Sequence, residues 1–464
     1  MAFEITEEMI ARQPPEAQAI IRLLLARLRE LEGRLPKTPQ NSSLPPSTQH
    51  PHAKPAPPKP RSRRQRGGQP GHPKHSRTLL PTVKCDKVLS LKPTACRRCG
   101  QALTGHDPEP WRHQVCELPE IKLHVTEYQR HRLTCSDCGT TTCAPLPVGV
   151  PTCQAGPHLI AFTALLMGCF RQSKRRVALF LETFLHQPCS PGWVVKLQQH
   201  TTAALQPACL ELAQQLPTQP RLGIDESPTK EGRSKAWLWT FVAATFTVFA
   251  QRTTRAATVL TELLTDSFTG VIHCDRAKMY GTLARARLQW CWAHLIRDFQ
   301  ALIDHTDPQV RRLGHDLMRA TRAVFRLRTQ ARAGPLTRRQ FRRRMQPLRK
   351  EVEALLLRGV FSGNPRLAGM CQELHKHRTR LWTFVDIDGV EPTNNASERA
   401  LRPAVIWRKL SFGTQCASGS RFVETMLTVI ETCRQQSRNA FTFVTAAVQA
   451  HLAHQPSPSL LDGV

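Results

Sequence analysis

Three acidic residues lie where a sheet and a helix would present them together. Asp225 closes the strand-like run RLGID, Asp275 closes VIHCD, and Glu398 falls in the first turns of a helix that follows Asn394-Asn395. Hard divalent cations such as Mg²⁺ or Mn²⁺ select carboxylate oxygens. Two of them about 4 Å apart can grip both the attacking and the leaving oxygen of an in-line phosphoryl transfer. Adjacent strands bring their C-terminal ends within side-chain reach, and a helix across the sheet supplies the third acid. On composition alone Glu226, Asp266, Glu391, Asp386 and Asp388 compete for the role. Each acid also has a plain reading as a surface or helix-end charge, and Glu398 has Arg402 at i+4 as a partner.

A second chemistry belongs to cysteine. Cys96 and Cys99 precede Gly100, and Cys135 and Cys138 precede Gly139, giving two C-x-x-C-G knuckles. The two-residue gap lets both sulfurs of a pair face one ion, and the glycine permits the tight turn that aims backbone N–H groups at sulfur. Four thiolates close a tetrahedral site with no open position, so the expected ion is one structural Zn²⁺ serving folding rather than catalysis. Cys85, Cys116, Cys143 and His113 are further candidates that the four-thiolate site does not need. IKLHVTEYQRHRL, before the second knuckle, has strand composition.

The elements that must position these groups follow from pattern. Residues 1–35 carry Ile21, Leu24, Leu28, Leu31 and Leu35 at 3-4 spacing, which predicts a coiled-coil-like helix, its apolar stripe serving either self-association or packing on its own protein. Residues 36–80 are a Pro/Gly-rich linker; Lys54–His75 holds seven Lys or Arg and no acid, and Arg61, Arg63, Arg64 and Arg66 suit phosphate contact. Residues 81–147 hold the knuckles, as a zinc ribbon. Residues 150–216 read as short helices opened by Ser173 and by Ser190-Pro191, which suits a helix-turn-helix, with Lys174, Arg175 and Arg176 as DNA contacts. Residues 220–299 alternate three strands, a helix, a strand, a helix and a strand, the pattern of an α/β sheet with a mixed edge. Residues 300–388 are helical and basic, with 14 Lys or Arg and one acid between 311 and 350. Residues 389–450 return to helices, and Pro403 predicts a stop or kink near Arg402.

Composition sets the partner. The 464 residues hold 65 Lys plus Arg against 35 Asp plus Glu, a formal charge of +30, which points to a polyanion. The apolar fraction, 40%, supplies a core and argues against a wholly disordered chain. Leu159–Phe170 and Ala236–Ala250 are too short or too Thr-interrupted to span a bilayer, so no membrane is expected. The acidic, Pro-broken start is unlike a secretory signal. Most of the 16 Cys are scattered singly, as in a reducing compartment.

The motifs NSSLPPS, GGQPGH, the paired C-x-x-C-G knuckles, GIDESP followed by KAWLWTFVA, VIHCDRAKMYG, QWCWAHLIRDFQ and EPTNNASERALRPAVIWRK resemble, in order and spacing, those of insertion-sequence-66 family transposases. The resemblance runs from about residue 20 to about residue 445. It implies a multi-domain α/β protein whose ribonuclease-H-like catalytic domain is split by the 300–388 insertion, with a DDE triad at Asp225, Asp275 and Glu398. Cys291 and His294 match a C-x-x-H found after the second Asp in many such domains, read here as support for the turn after the fifth strand, with a metal-ligand pair as the alternative. Thr393 stands where many members have Asp, and Ser227 where members often have Thr.

The implied activity is metal-assisted DNA cleavage at the element's ends followed by attack of the freed 3′-hydroxyl on target DNA, using two Mg²⁺ or Mn²⁺ per site. Arg399 and Arg402 are candidates for neutralising a phosphate nearby. The implied partners are DNA, further copies of the chain and accessory proteins of the same element; the implied location is the bacterial cytoplasm, at the nucleoid. A DNA-binding repressor without catalysis, or a ribonuclease-H-type nuclease that cuts without joining, would share most of these features.

Overall fold

Alternating apolar residues beyond Arg221 fold into a five-stranded mixed sheet that carries two of the three acids. The structure, a computed structural model, describes residues 7–32, 78–334 and 336–461. Arg61, Arg63, Arg64 and Arg66 and the motifs NSSLPPS and GGQPGH lie outside the described residues. The chain divides into two compact units, Met1–His50 with Val125–Val464, and Pro51–His124.

The larger unit holds fourteen α-helices among the described residues. It opens with α1 (Glu7–Ala11) and α2 (Pro15–Glu32), then a short antiparallel ribbon of β1 (Arg132–Thr134) and β2 (Thr141–Cys143). Helices α3 (Pro157–Gly168), α4 (Lys174–Leu185) and α5 (Pro191–Gln214) follow. The serines expected at two starts do cap them: Ser173 Oγ accepts the Arg176 N–H at 3.3 Å and Ser190 Oγ that of Trp193 at 3.1 Å. Next come β3 (Arg221–Glu231), β4 (Ser234–Val242), β5 (Thr247–Arg252), α6 (Thr258–Leu264), β6 (Val271–Cys274), β7 (Arg287–Trp290) and α7 (Trp292–Ile303). The basic stretch forms α8 (Pro308–Arg332), α9 (Arg338–Val360), α10 (Pro365–Lys376) and α11 (Thr383–Asp386), and the chain ends in α12 (Asn395–Ser411), α13 (Ala417–Gln435) and α14 (Ala440–Leu452).

Strand order is β5-β4-β3-β6-β7, antiparallel among the first three and parallel from β3 to β7. Strand alternation separates two apolar faces. Trp239 and Phe241 of β4 join the main core with Leu222 and Ile224 of β3. Leu238 and Val242 turn the other way, onto Ala400, Leu401 and Ala404 of α12.

Three expectations are corrected. Strand β3 does not end at Asp225 but runs to Glu231, through Pro228. Its ladder with β6 stops at Gly223, so the missing N–H of Pro228 interrupts nothing on that side. The run IKLHVTEYQRHRL contributes only Arg132 and Leu133 to a strand, because its apolar side chains, such as Val125 at 81% exposure, find no core to turn toward. Pro403 neither stops α12 nor ends it at Arg402. Burial of Leu401 and Ala404 on either side of the proline holds the helix to Ser411.

The free edge of the sheet is closed by side chains. The β5 N–H groups of Thr247, Phe249 and Gln251 donate to Thr432 Oγ1 (3.1 Å), Thr428 Oγ1 (3.0 Å) and Glu424 Oε1 of α13. Four helical residues rise about 6 Å and two strand residues about 6.8 Å, so acceptors at every fourth position match donors at every second. An edge strand is thereby satisfied without another strand. Thr428→Val, nearly isosteric, leaves the Phe249 N–H buried and unpaired; denaturant unfolding is expected to show a loss of about 1–3 kcal/mol, with Thr428→Ser close to wild type.

Candidate active site

Pairing between β3 and β6 sets Arg221 against Val271, Leu222 against Ile272 and Gly223 against His273. Two residues further in the same register stand Asp225 and Asp275, just past the last paired residues. Asp275 Oδ1 accepts the Ala277 N–H at 2.8 Å, and Asp225 Oδ1 accepts the Glu226 N–H at 3.0 Å.

Glu398 reaches this point on the first turn of α12, and Asn394 brings it there. Asn394 is 4% exposed. Its Nδ2 donates to Ile224 O at 2.7 Å, its Oδ1 accepts from Ser397 Oγ at 2.8 Å, and its N–H donates to Cys291 Sγ at 3.1 Å. Its side chain is a rivet between helix and strand rather than a helix cap. Gly223 leaves the room this needs, since a Cβ there would collide with Ser397 Oγ and lie 3.0 Å from Asn394 Oδ1. Sequence reasoning passed over Asn394, Ser397 and Gly223; the one available signal was the Asn pair ahead of the helix.

Asp225 feels the charge of the other two acids. Asp225 is held well above the usual carboxylate range, first by burial and then by the charges of Glu226, Asp275 and Glu398. Their oxygens are not drawn into a tight cluster. Among the described residues, the one trio of ligand atoms within 4.8 Å of one another is Cys291, His294 and Glu398. Glu398 faces Arg297 Nη2 at 3.5 Å and His294 Nδ1 at 3.9 Å, and does not pair with Arg402. That His294 nitrogen is buried without a hydrogen-bond partner among the described residues. Burial, then Arg297, lowers the His294 pKa to about 4, so it is neutral at physiological pH. Carboxylate oxygens suit a hard divalent ion at the acids, while the Cys, His and Glu trio would suit a softer one.

Of the other expected acids, Glu226 lies on the opposite face of β3, bonded to Tyr280 and Arg255. Glu391 pairs with Arg328 at 2.9 Å, and Asp386 and Asp388 face Arg349 and Arg338 at 3.9 and 3.7 Å. Arg399 and Arg402 are exposed on α12. Lys174, Arg175 and Arg176 are exposed in the first turn of α4, where the helix dipole disfavours cations, so helix stability does not explain them.

Each cysteine knuckle has the same backbone. Gly100 (φ +76°) and Gly139 (φ +69°) are left-handed. Gly100 N–H donates to Cys96 O at 2.8 Å and Gly139 N–H to Cys135 O at 3.0 Å; Cys96 and Cys135 N–H donate to Gln101 O and Thr140 O at 2.8 and 3.0 Å. Hydrogen bonds lower the thiol pKa of Cys96 and of Cys138. Around the first knuckle, residues 78–124 contain no buried hydrophobic residue, and Val83, Leu91 and Trp111 are at least 90% exposed. A stretch this poor in core fits a metal-stapled segment.

Residues 152–421, more than half of the chain, match the transposase IS66 family, and residues 6–78 match a family of unknown function, DUF6444. A curated relative, the uncharacterized protein y4qI of Sinorhizobium fredii, is 26% identical over 237 residues, covering 45% of this chain and 42% of that protein.

Asn394→Ala removes the rivet and leaves the Ile224 carbonyl without its donor. An unfolding midpoint shift worth about 1–3 kcal/mol is expected, against less than about 0.5 kcal/mol for Asn395→Ala at the exposed neighbouring position.

Proposed function

Since the chain belongs to the IS66 family of transposases, we propose that it binds the ends of its insertion sequence and catalyses metal-dependent strand cleavage and strand transfer in a ribonuclease-H-like domain, with Asp225, Asp275 and Glu398 as its DDE acids. The observation that carries this reading is the convergence of two strand carboxylates, level in the β3–β6 register, with a third delivered by α12 across the sheet. Strand order β5-β4-β3-β6-β7, followed by a helical insertion before the Glu helix, is the order such a domain needs.

Two divalent ions, Mg²⁺ or Mn²⁺, held by Asp225, Asp275 and Glu398 would supply Lewis-acid stabilisation of charge at the transferring phosphate. The chain's own groups do the rest. Asp275 keeps Oδ2 turned away from its backbone bond, and Asn394 holds Glu398 over the sheet. Arg297 offsets the charge of Glu398. Arg399 and Arg402, exposed beyond Glu398 on α12, meet the flanking phosphates.

End recognition falls to the helix-turn-helix of α3 to α5, through Lys174, Arg175 and Arg176, and to the zinc-loaded cysteine knuckles. The linker arginines and the exposed arginines of α8 and α9 hold the backbone. No helix among the described residues is long and apolar enough to cross a membrane. Action in the bacterial cytoplasm at the nucleoid, as an oligomer on DNA and with accessory proteins of the element, completes the reading.

The deciding assay uses a supercoiled plasmid carrying the gene with its native flanking DNA. Asp275→Asn is expected to lower Mg²⁺-dependent cleavage by at least about 10²-fold while DNA binding persists; equal cleavage by both proteins would leave only a binding role, and cleavage without joined products would indicate a nuclease. Changing Lys174, Arg175 and Arg176 to Ala is expected to weaken binding and to flatten the slope of log affinity against log salt by about 0.9 for each phosphate that the protein no longer neutralises.

A further inference from the structure

A polar cluster on the far face of β3 is not required by the three acids. The Glu226 side chain is 2% exposed. Tyr280 Oη donates to its Oε2. Arg255 Nε donates to its Oε1 at 2.7 Å, and Arg255 Nη2 lies 2.5 Å from the same oxygen. The Arg255 guanidinium also lies 5.1 Å from the centroid of the Trp237 ring. These bonds fix the group at one edge, and the fixed edge points at the reaction centre: Nη2 is 3.7 Å from Asp275 Oδ2. The other Asp275 oxygen is occupied by the Ala277 N–H. Nε and Nη2 make these approaches out of five N–H donors, and 43% of the Arg255 side chain stays open to solvent.

Stability alone does not account for such a cluster. A buried carboxylate with its cation is commonly matched or bettered by apolar residues of similar volume, and the main core begins at the adjoining Ile224. The carboxylate instead makes sense as the anchor of an arginine that has to stand at one place.

We infer that Arg255 is a phosphate-binding catalytic residue: with DNA in place its guanidinium takes a non-bridging oxygen of the phosphate under attack beside Asp275, and Glu226, Tyr280 and Trp237 are positioning residues that aim it. The inference rests on the reading of Asp275 as an acid of the reaction centre. In the DNA-free protein the same guanidinium offsets the charge of Asp275 and so opposes the approach of a divalent cation. Phosphate and cation therefore make opposite demands on one residue, and that opposition provides a test.

Two measurements on the full-length, zinc-loaded chain decide it. In the plasmid assay Arg255→Ala is expected to cut cleavage by about 10²-fold or more, with DNA affinity lowered less than tenfold. Without DNA, Mn²⁺ binding followed by electron paramagnetic resonance is expected to tighten about tenfold, since a cation next to Asp275 has gone; a site that had merely lost its shape would bind Mn²⁺ more weakly. Arg255→Ala leaves Glu226 buried without its cation, so the double variant Arg255→Ala/Glu226→Gln covers loss of folding. It is expected to fold and to stay as slow as the single variant. Recovery of cleavage in the double variant, or near-normal cleavage in Arg255→Ala, overturns the proposal. Asp275→Asn runs alongside. If Asp275→Asn is inactive while Arg255→Ala is active, the role of Arg255 alone fails. If both are active, the reading of the three acids fails with it.

Discussion

Like charges that have to sit together govern this structure. Asp225, Glu226, Asp275 and Glu398 come from three separate elements, and each of the last three pushes the Asp225 carboxyl upward. Left to themselves these groups would separate. Directional bonds hold them: the parallel ladder that levels Asp225 with Asp275, and the Asn394 amide that ties the start of α12 to Ile224 O. Arg255 and Arg297 approach from different elements and blunt the repulsion.

That arrangement depends on parts of the chain far from the acids. Helix α12 lies on one face of the sheet through Ala400, Leu401 and Ala404 against Leu238, Val242 and Phe249. Phe249 belongs to β5, the edge strand whose outward N–H groups are bonded to α13. Loosening α13 therefore loosens the strand on which α12 rests, and with it the carboxylate of Glu398. Sheet-edge satisfaction, which reads at first as plain stability, is thus linked to the geometry of the site.

Elements whose signals are local were legible from the residues. Ser173 and Ser190 bond the N–H groups expected of caps, and Asp275 directly follows the strand VIHC. Long-range constraints were not legible. Pro403 reads as a helix breaker, yet burial of its neighbours decides the matter. Asp225 reads as a strand end, but only the β6 side of the ladder stops, two residues earlier at Gly223, while β4 pairs onward to Glu231. Asn394 looks like a cap, and its partner is 170 residues away in sequence. Glu226 is indistinguishable by composition from its neighbour, and only strand alternation sends the two to opposite faces.

The arginines of α8 and α9 sharpen the question of how a polyanion would meet an acidic centre. Not all of them face outward for a ligand. Arg338 and Arg342 donate to the carbonyls of Phe384, Val385 and Asp386, and Arg358 is paired with Asp316. These stitch the insertion together. Arg311, Arg322 and Arg326 are exposed, with no ion pair among the described residues, on the face of α8 opposite Val310, Leu317 and Val324. A charge excess of +30 thus divides into a structural share and a free share. Were DNA the partner, as proposed, the free share would attract it from a distance, while the carboxylates would repel its phosphates at close range. On the transposase reading, attraction outside and repulsion at the centre can be reconciled only when cations stand among the acids. Metal and DNA should then bind each more tightly in the presence of the other, because each removes the charge that excludes its counterpart.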